Sequence, residues 1–198
     1  MLKELIDFVD SVLPSVPLET KEGVQAAIAQ FEREGEQIKY LTLSPLQELS
    51  QGDIISSVPF SYFDEKGEEK RFTAEAIVLS TSCHIDQKSK LILAPVFPLQ
   101  EFEKGLVDLK NNKVIDYMYI PDGCLIDKFV DFEIMNTFSK NLIINGINNG
   151  RLKRIASLNQ FGYYFFIITT LIISKKPGNT GISRDIRTEF TTDLLLSD

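Results

Sequence analysis

Three apolar segments in close succession limit the architectures open to this chain more than any other feature. Residues 52–63 read GDIISSVPFSYF, residues 71–81 read RFTAEAIVLST and residues 90–97 read KLILAPVF. Each is rich in β-branched, leucine or aromatic residues and is bounded by polar turn residues, the pattern of neighbouring strands. DEKGEEK, between the first two, predicts a charged hairpin loop with Gly67 at its tip. Pro59 has no N–H to give to a ladder, so it marks an edge or a bulge. Between the second and third strands lies SCHID, which holds the only histidine beside one of two cysteines.

The remaining chain predicts a smaller set of elements. Residues 38–43 read as a short strand. Residues 99–110 place Leu99, Phe102, Leu106 and Leu109 on one side of an inserted helix, with Gly105 its weak spot. Residues 114–121 predict a strand, DGCLI a turn, and 129–138 a strand with clean alternation. On it Phe129, Asp131, Glu133 and Met135 face one way, and Val130, Phe132, Ile134 and Asn136 the other. NLIIN reads as another short strand. Residues 158–173 are β-branched like a strand but long like a helix. Helix is the reading adopted, buried because it is apolar nearly all round, with Ser157 as its N-cap.

Residues 2–13 and about 20–34 carry helical apolar stripes, which divides the chain into an arm (1–36), a main domain (37–174) and a tail (175–198). The expected fold class is mainly β (α+β), with two N-terminal helices, an inserted helix and a C-terminal buried helix.

Composition narrows the partners. Net charge is −7, and the first 110 residues hold 19 acids against 11 bases. A phosphate backbone is repelled by such a half, so RNA is disfavoured as a partner. Two cysteines are too few for a secreted disulfide framework, no leader is evident, and the longest apolar run, 161–174, is short for a membrane span. A cytoplasmic chain with no membrane association is expected.

The order GDII (52–55), IVLS (77–80) and LILAPV (91–96) resembles the PemK/MazF-type toxin family. That resemblance covers about a quarter of the chain. It implies a small SH3-like β-barrel, frequent pairing into homodimers, and metal-free cleavage of single-stranded RNA. It also implies an arginine six residues before the serine, followed by proline, and a threonine two residues after the later proline. Those positions here hold Ala74, Glu75 and Phe97. Alanine cannot stabilise a phosphorane dianion, and phenylalanine has no hydroxyl. Arg71 lies three residues from the vacated position, an odd offset that puts it on the opposite face unless a bulge intervenes. A looser resemblance, on LSTSCHID, LAPV and RIASL, is to bacterial chains with a barrel and an added C-terminal helix.

The candidate sites follow. Cys83, His84 and Asp86, with Cys124 as a fourth member, lack the spaced pairs of a zinc site, so no metal and no cofactor are expected. SCHID reads either as a buried cysteine at a strand end with Asp86 capping the turn, or as a polar binding pocket of Ser80, Ser82, Cys83 and Asp86. Arg154 predicts an ion pair with Asp131 or Asp86, or a phosphate site at a helix N-terminus. Asp131 and Glu133 share a strand face and read as solvated or arginine-paired carboxylates. The expectation is a non-catalytic module that binds a protein partner in a bacterial toxin-related or phage-defence system. The alternative is an RNase or related phosphodiesterase that uses Arg71 or Arg154 with His84 as acid–base.

Overall fold

A computed structural model describes residues 39–174 of the chain, apart from 43, 103 and 115. The expected N-terminal helices and the tail lie outside the described residues. Seven strands among those described form an antiparallel sheet: β1 (Asp53–Phe63), β2 (Glu69–Val78), β3 (Lys90–Pro98), β4 (Tyr117–Tyr119), β5 (Lys128–Asp131), β6 (Asn136–Ser139) and β7 (Lys153–Ser157). Their order is β4-β5-β3-β2-β1-β7, and β6 lies beside β3. Four α-helices accompany them: α1 (Ser82–Gln87), α2 (Leu106–Lys110), α3 (Lys140–Asn148) and α4 (Gln160–Ser174). None is long and apolar enough to cross a membrane.

The period-two pattern of β1 explains how one sheet serves two cores. Ile54 packs on one face with Ile77, Ala94, Met118 and the α4 residues Phe165 and Phe166. Ile55 packs on the other with Val58, Phe60, Leu93 and Ile143 of α3. Ile55 and Val58 are three apart, so strict alternation would separate them. The bulge between them, with Ser57 at φ 61°, restores both to one face. Pro59 lies just beyond that bulge, opposite Thr73, where β7 no longer flanks β1. The bulge and the edge inferred from Pro59 are both present. Phe166 is fully buried, which contributes about 1.5–3 kcal/mol of hydrophobic stabilisation.

Several expected elements take a different form. SCHID is not a bare strand turn; it forms α1, whose first turn Thr81 caps by accepting the His84 N–H at 3.3 Å. The inserted helix of 99–110 is broken into a 3-10 turn (Leu99–Glu101) and the short α2, because Gly105 takes φ 82°, outside the helical region. The strand of 129–138 splits into β5 and β6. Both pair with β3, but residues 131–135 span a stretch where β3 supplies only Ala94 and Pro95. The surplus loops out around Asp131, whose Oδ1 accepts the Glu133 N–H at 2.7 Å. This local carboxylate turn overrides the apparent alternation.

NLIIN belongs to α3 rather than to a strand. Ile143 and Gly146 form its buried side, a helical spacing that a five-residue window does not reveal. Residues 39–42 contribute one bridge, Leu41 to Leu158, instead of the strand expected over 38–43. The C-terminal helix is present as α4, but its cap is Asn159, whose Oδ1 accepts the Gly162 N–H at 2.9 Å. Ser157 instead ends β7. Helix α4 buries one side only, since Phe161 and Tyr163 are 36% and 37% exposed.

Candidate functional site

Three groups of polar residues rise above the core: a buried carboxylate under β7, the α1 region, and the place where β1 approaches β6. The first begins with Asp53, fully buried at the start of β1. Its Oδ1 accepts the Ser157 hydroxyl at 2.6 Å, and its Oδ2 accepts the Ser50 N–H at 2.9 Å and Arg154 Nη1 at 3.3 Å. Burial pushes the Asp53 carboxyl above the ordinary aspartate range, and these donors pull against it. Arg154 also donates to the Gln47 carbonyl at 2.8 Å. The arginine therefore has the carboxylate partner foreseen for it, but that partner is Asp53, not Asp131 or Asp86. It also stands within the strand β7 and not at the start of a helix. Gly-Asp at a strand start was visible in the sequence as a strand marker. Its partnership with Ser157 and Arg154 depends on β7 lying beside β1, a tertiary pairing that the local sequence does not announce.

The α1 region separates the SCHID residues. Ser80 is buried, and its Oγ accepts the Ile92 N–H at 2.8 Å. Ser82, Cys83, His84 and Asp86 are exposed, and Ile85 is the buried residue of the helix. Cys83 is thus not the buried strand-end cysteine of the simpler reading, because a helical turn directs Ile85 inward in its place. Asp86 caps no turn by its carboxylate among the hydrogen bonds of this region. Its backbone carbonyl accepts Lys140 Nζ at 3.2 Å. His84 borders an open groove of about 320 Å³ with Lys88, Lys90, Ile92 and Thr137. Among the described residues, no group of three or more His, Cys, Asp or Glu side chains is placed to hold a metal ion.

Arg71 does not return to the vacated arginine position. The β1–β2 pairing runs without interruption from Val58–Ala74 to Ser61–Arg71, so the odd offset stands. Arg71 Nη2 instead pairs with Glu69 Oε2 at 2.6 Å on the strand surface. Ala74 packs into the Ile55 core. The Phe97 ring stands 5.4 Å from that of Phe72 and 6.0 Å from that of Phe129. Aromatic packing fills the place of the expected hydroxyl.

Asp131 is buried, and burial raises its carboxyl above the ordinary range, with Glu133 and Asp116 adding to the effect. Glu133 accepts the Tyr117 hydroxyl at 2.7 Å. Asp131 and Glu133 hold the β5–β6 turn and the end of β4 together; among the described residues neither pairs with an arginine.

The third group was not foreseen. Asn136, at the start of β6, reaches across to β1. Its Oδ1 accepts the Ser61 N–H at 2.8 Å and its Nδ2 donates to the Ser61 carbonyl at 2.9 Å. An open cleft of about 560 Å³ lies beside this contact, bordered by Pro59, Arg71, Thr73 and Thr137. Thr137 also borders the His84 groove, so the two depressions adjoin. His84 and Arg71 are thus brought to adjoining grooves, whereas Arg154 borders neither. In comparisons with known proteins, no family model matches this chain and no curated protein matches it.

Proposed function

We propose that this chain is a non-catalytic interaction module, a small SH3-like barrel of PemK/MazF-type descent that acts through protein contacts in a bacterial toxin-related or phage-defence system. The barrel reading is supported by the curl of β1, β2, β3 and β6, which brings Asn136 onto the Ser61 backbone and joins the two ends. One observation carries the functional reading: both arginine candidates already hold carboxylates, Arg154 with Asp53 and Arg71 with Glu69. Arg154 is thereby held by a buried carboxylate and Arg71 is drawn to Glu69 on the strand surface, so neither is preorganised toward the developing charge of a phosphoryl transition state. Ala74 and Phe97, packed by apolar neighbours, supply none.

The second reading is an RNase with a rearranged site. It draws on His84, exposed at an open groove with Lys88 and Lys90. Incubation of the full chain with mixed-sequence single-stranded RNA, at near-stoichiometric protein, separates the two. Intact RNA is the expected result. Cleavage that disappears in His84→Ala would replace the first reading by the second.

A further inference from the structure

We propose that the seam between β1 and β6 is a docking slot for an extended, acidic segment of a partner protein, which adds there as a strand. The inference rests on the interaction-module reading and specifies the surface and the chemistry of its partner.

The argument starts from the two strand edges. Beyond Ser56, β1 has no strand on its β7 side. Ser61 therefore offers its N–H and carbonyl outward, and Asn136 meets both. Pro59, two residues earlier on the same edge, has only a carbonyl to offer, as suits an open edge. On the other lip, Ile92 donates its N–H to Ser80 Oγ at 2.8 Å and accepts the Leu79 N–H at 2.9 Å. Both bonds run toward β2. Opposed residues of an antiparallel pair point their amides either at each other or both away. Thr137, opposite Ile92, therefore turns its N–H and carbonyl from β3 toward the seam.

Asn136 makes the slot specific for a peptide group. Its carboxamide shows Ser61 one acceptor and one donor, the same pair that a backbone amide would present. It is a built-in stand-in for an incoming strand. Beneath it, the buried Phe60 ring meets the half-buried Phe138 ring edge to face at 5.4 Å, which fixes the floor of the seam and leaves Phe138 as its accessible apolar surface. The four residues of β6 extend over roughly 13 Å at about 3.3 Å each.

Charge selects the segment. Among the described residues, Lys88 and Lys90 have no carboxylate partner, and with His84 they border the groove that continues the cleft. Two lysines with no carboxylate partner among the described residues, at the end of a strand slot, favour carboxylates at one end of the added strand. Single-stranded RNA fits less well. Phe60 is only 3% exposed, and base stacking needs open ring faces.

The test pans a displayed library of random twelve-residue peptides on the full chain. A selected peptide is then synthesised with a fluorophore and measured by anisotropy and by amide NMR shifts. Enriched sequences should carry Asp or Glu and move the Ser61 and Thr137 amide signals. Binding should weaken about tenfold or more in the double variant Lys88→Glu, Lys90→Glu, whose side chains are exposed. It should tighten severalfold in Asn136→Ala, where the stand-in is gone. No enriched peptide, or one that binds the lysine variant unchanged or leaves Ser61 and Thr137 unmoved, overturns the slot. Binding elsewhere on the surface would still leave the module reading intact, whereas RNA cleavage would remove that reading as well.

Discussion

Ser157 stands directly opposite Asp53 in the pairing of β1 with β7, and its hydroxyl donates to Asp53 Oδ1 at 2.6 Å. The same oxygen of Ser157 accepts the Leu46 N–H at 2.9 Å. One hydroxyl thus ties the sheet to the segment that precedes β1, and it serves a carboxylate that water does not reach. Removal of a partner from a buried acceptor costs about 1–3 kcal/mol. Ser157→Ala should lose that amount in urea unfolding, with the denaturant slope unchanged. Arg154→Met should cost more, on the order of 3–5 kcal/mol, since it leaves a buried charge uncompensated. The surface change Arg151→Met is the control. If Arg154→Met is no worse than that control, Asp53 is not held as a charged buried group.

Gly162 allows the backbone of Tyr40 to lie against α4. A Cβ at this position would overlap the Tyr40 carbonyl oxygen, which is main chain and cannot swing away. That carbonyl also accepts the Asn159 N–H at 2.8 Å. Gly162→Ala should therefore destabilise by about 1–3 kcal/mol, as an overpacked core does. It should also strip hydrogen-exchange protection from Thr42, whose N–H donates to the Ser157 carbonyl at 2.8 Å. Gly67→Ala has the positive φ but nothing within 4 Å. Its cost should be limited to backbone strain, about 1–2 kcal/mol, and Thr42 should keep its protection.

The strands of 52–97 were legible because each is rich in β-branched, leucine or aromatic residues over a run long enough for a strand and is bounded by polar turn residues. Pro59 even revealed the bulge, since a missing N–H is a property of the residue and not of its partners. The misreadings share a physical cause. Asp131 folds its own chain into a turn through a side-chain hydrogen bond that competes with the ladder. Gly105 breaks a helix by a left-handed φ that its neighbours do not announce. Arg154 was legible as a cation in need of a carboxylate, but Asp53 lies 101 positions away along the chain. Asn136 carried no signal at all. Its amide matters only because the curled sheet places Ser61 opposite it, and that is a fact of tertiary approach.

The two cysteines should react at different rates. Cys83 is exposed on α1, whereas Cys124 is half-buried, and burial pushes its thiol above the ordinary range, with Glu75 adding to the shift. The thiolate is the reacting species, so both access and ionisation slow Cys124. A thiol-reactive disulfide reagent at neutral pH should show a fast phase of one thiol and a slow phase of one. Cys83→Ser should remove the fast phase alone. Two equal rates, or a fast phase that survives this change, would contradict the placement of α1.

Asp131 gives a dependence on pH with a definite sign. Burial raises its folded carboxyl above the unfolded value of about 3.9, the Glu133 and Asp116 charges add to that, and the backbone N–H groups of Glu133 and Ile134 oppose it. A raised value means that the folded chain holds this proton at a pH where the unfolded chain has released it. The stability linked to Asp131 is therefore full below the unfolded value and is lost as pH rises through the folded one. Tyr117, which also lies against the turn, is pushed up by burial and stays protonated throughout this range. Asp131→Asn keeps an Oδ1 for the Glu133 N–H and carries no charge to desolvate. Its melting temperature should exceed that of the parent at about pH 7, and the difference should shrink toward pH ~4 as the parent carboxyl takes up its proton. A difference that stays flat over this range, or widens toward acid, would show that Asp131 is ionised in the folded chain without penalty.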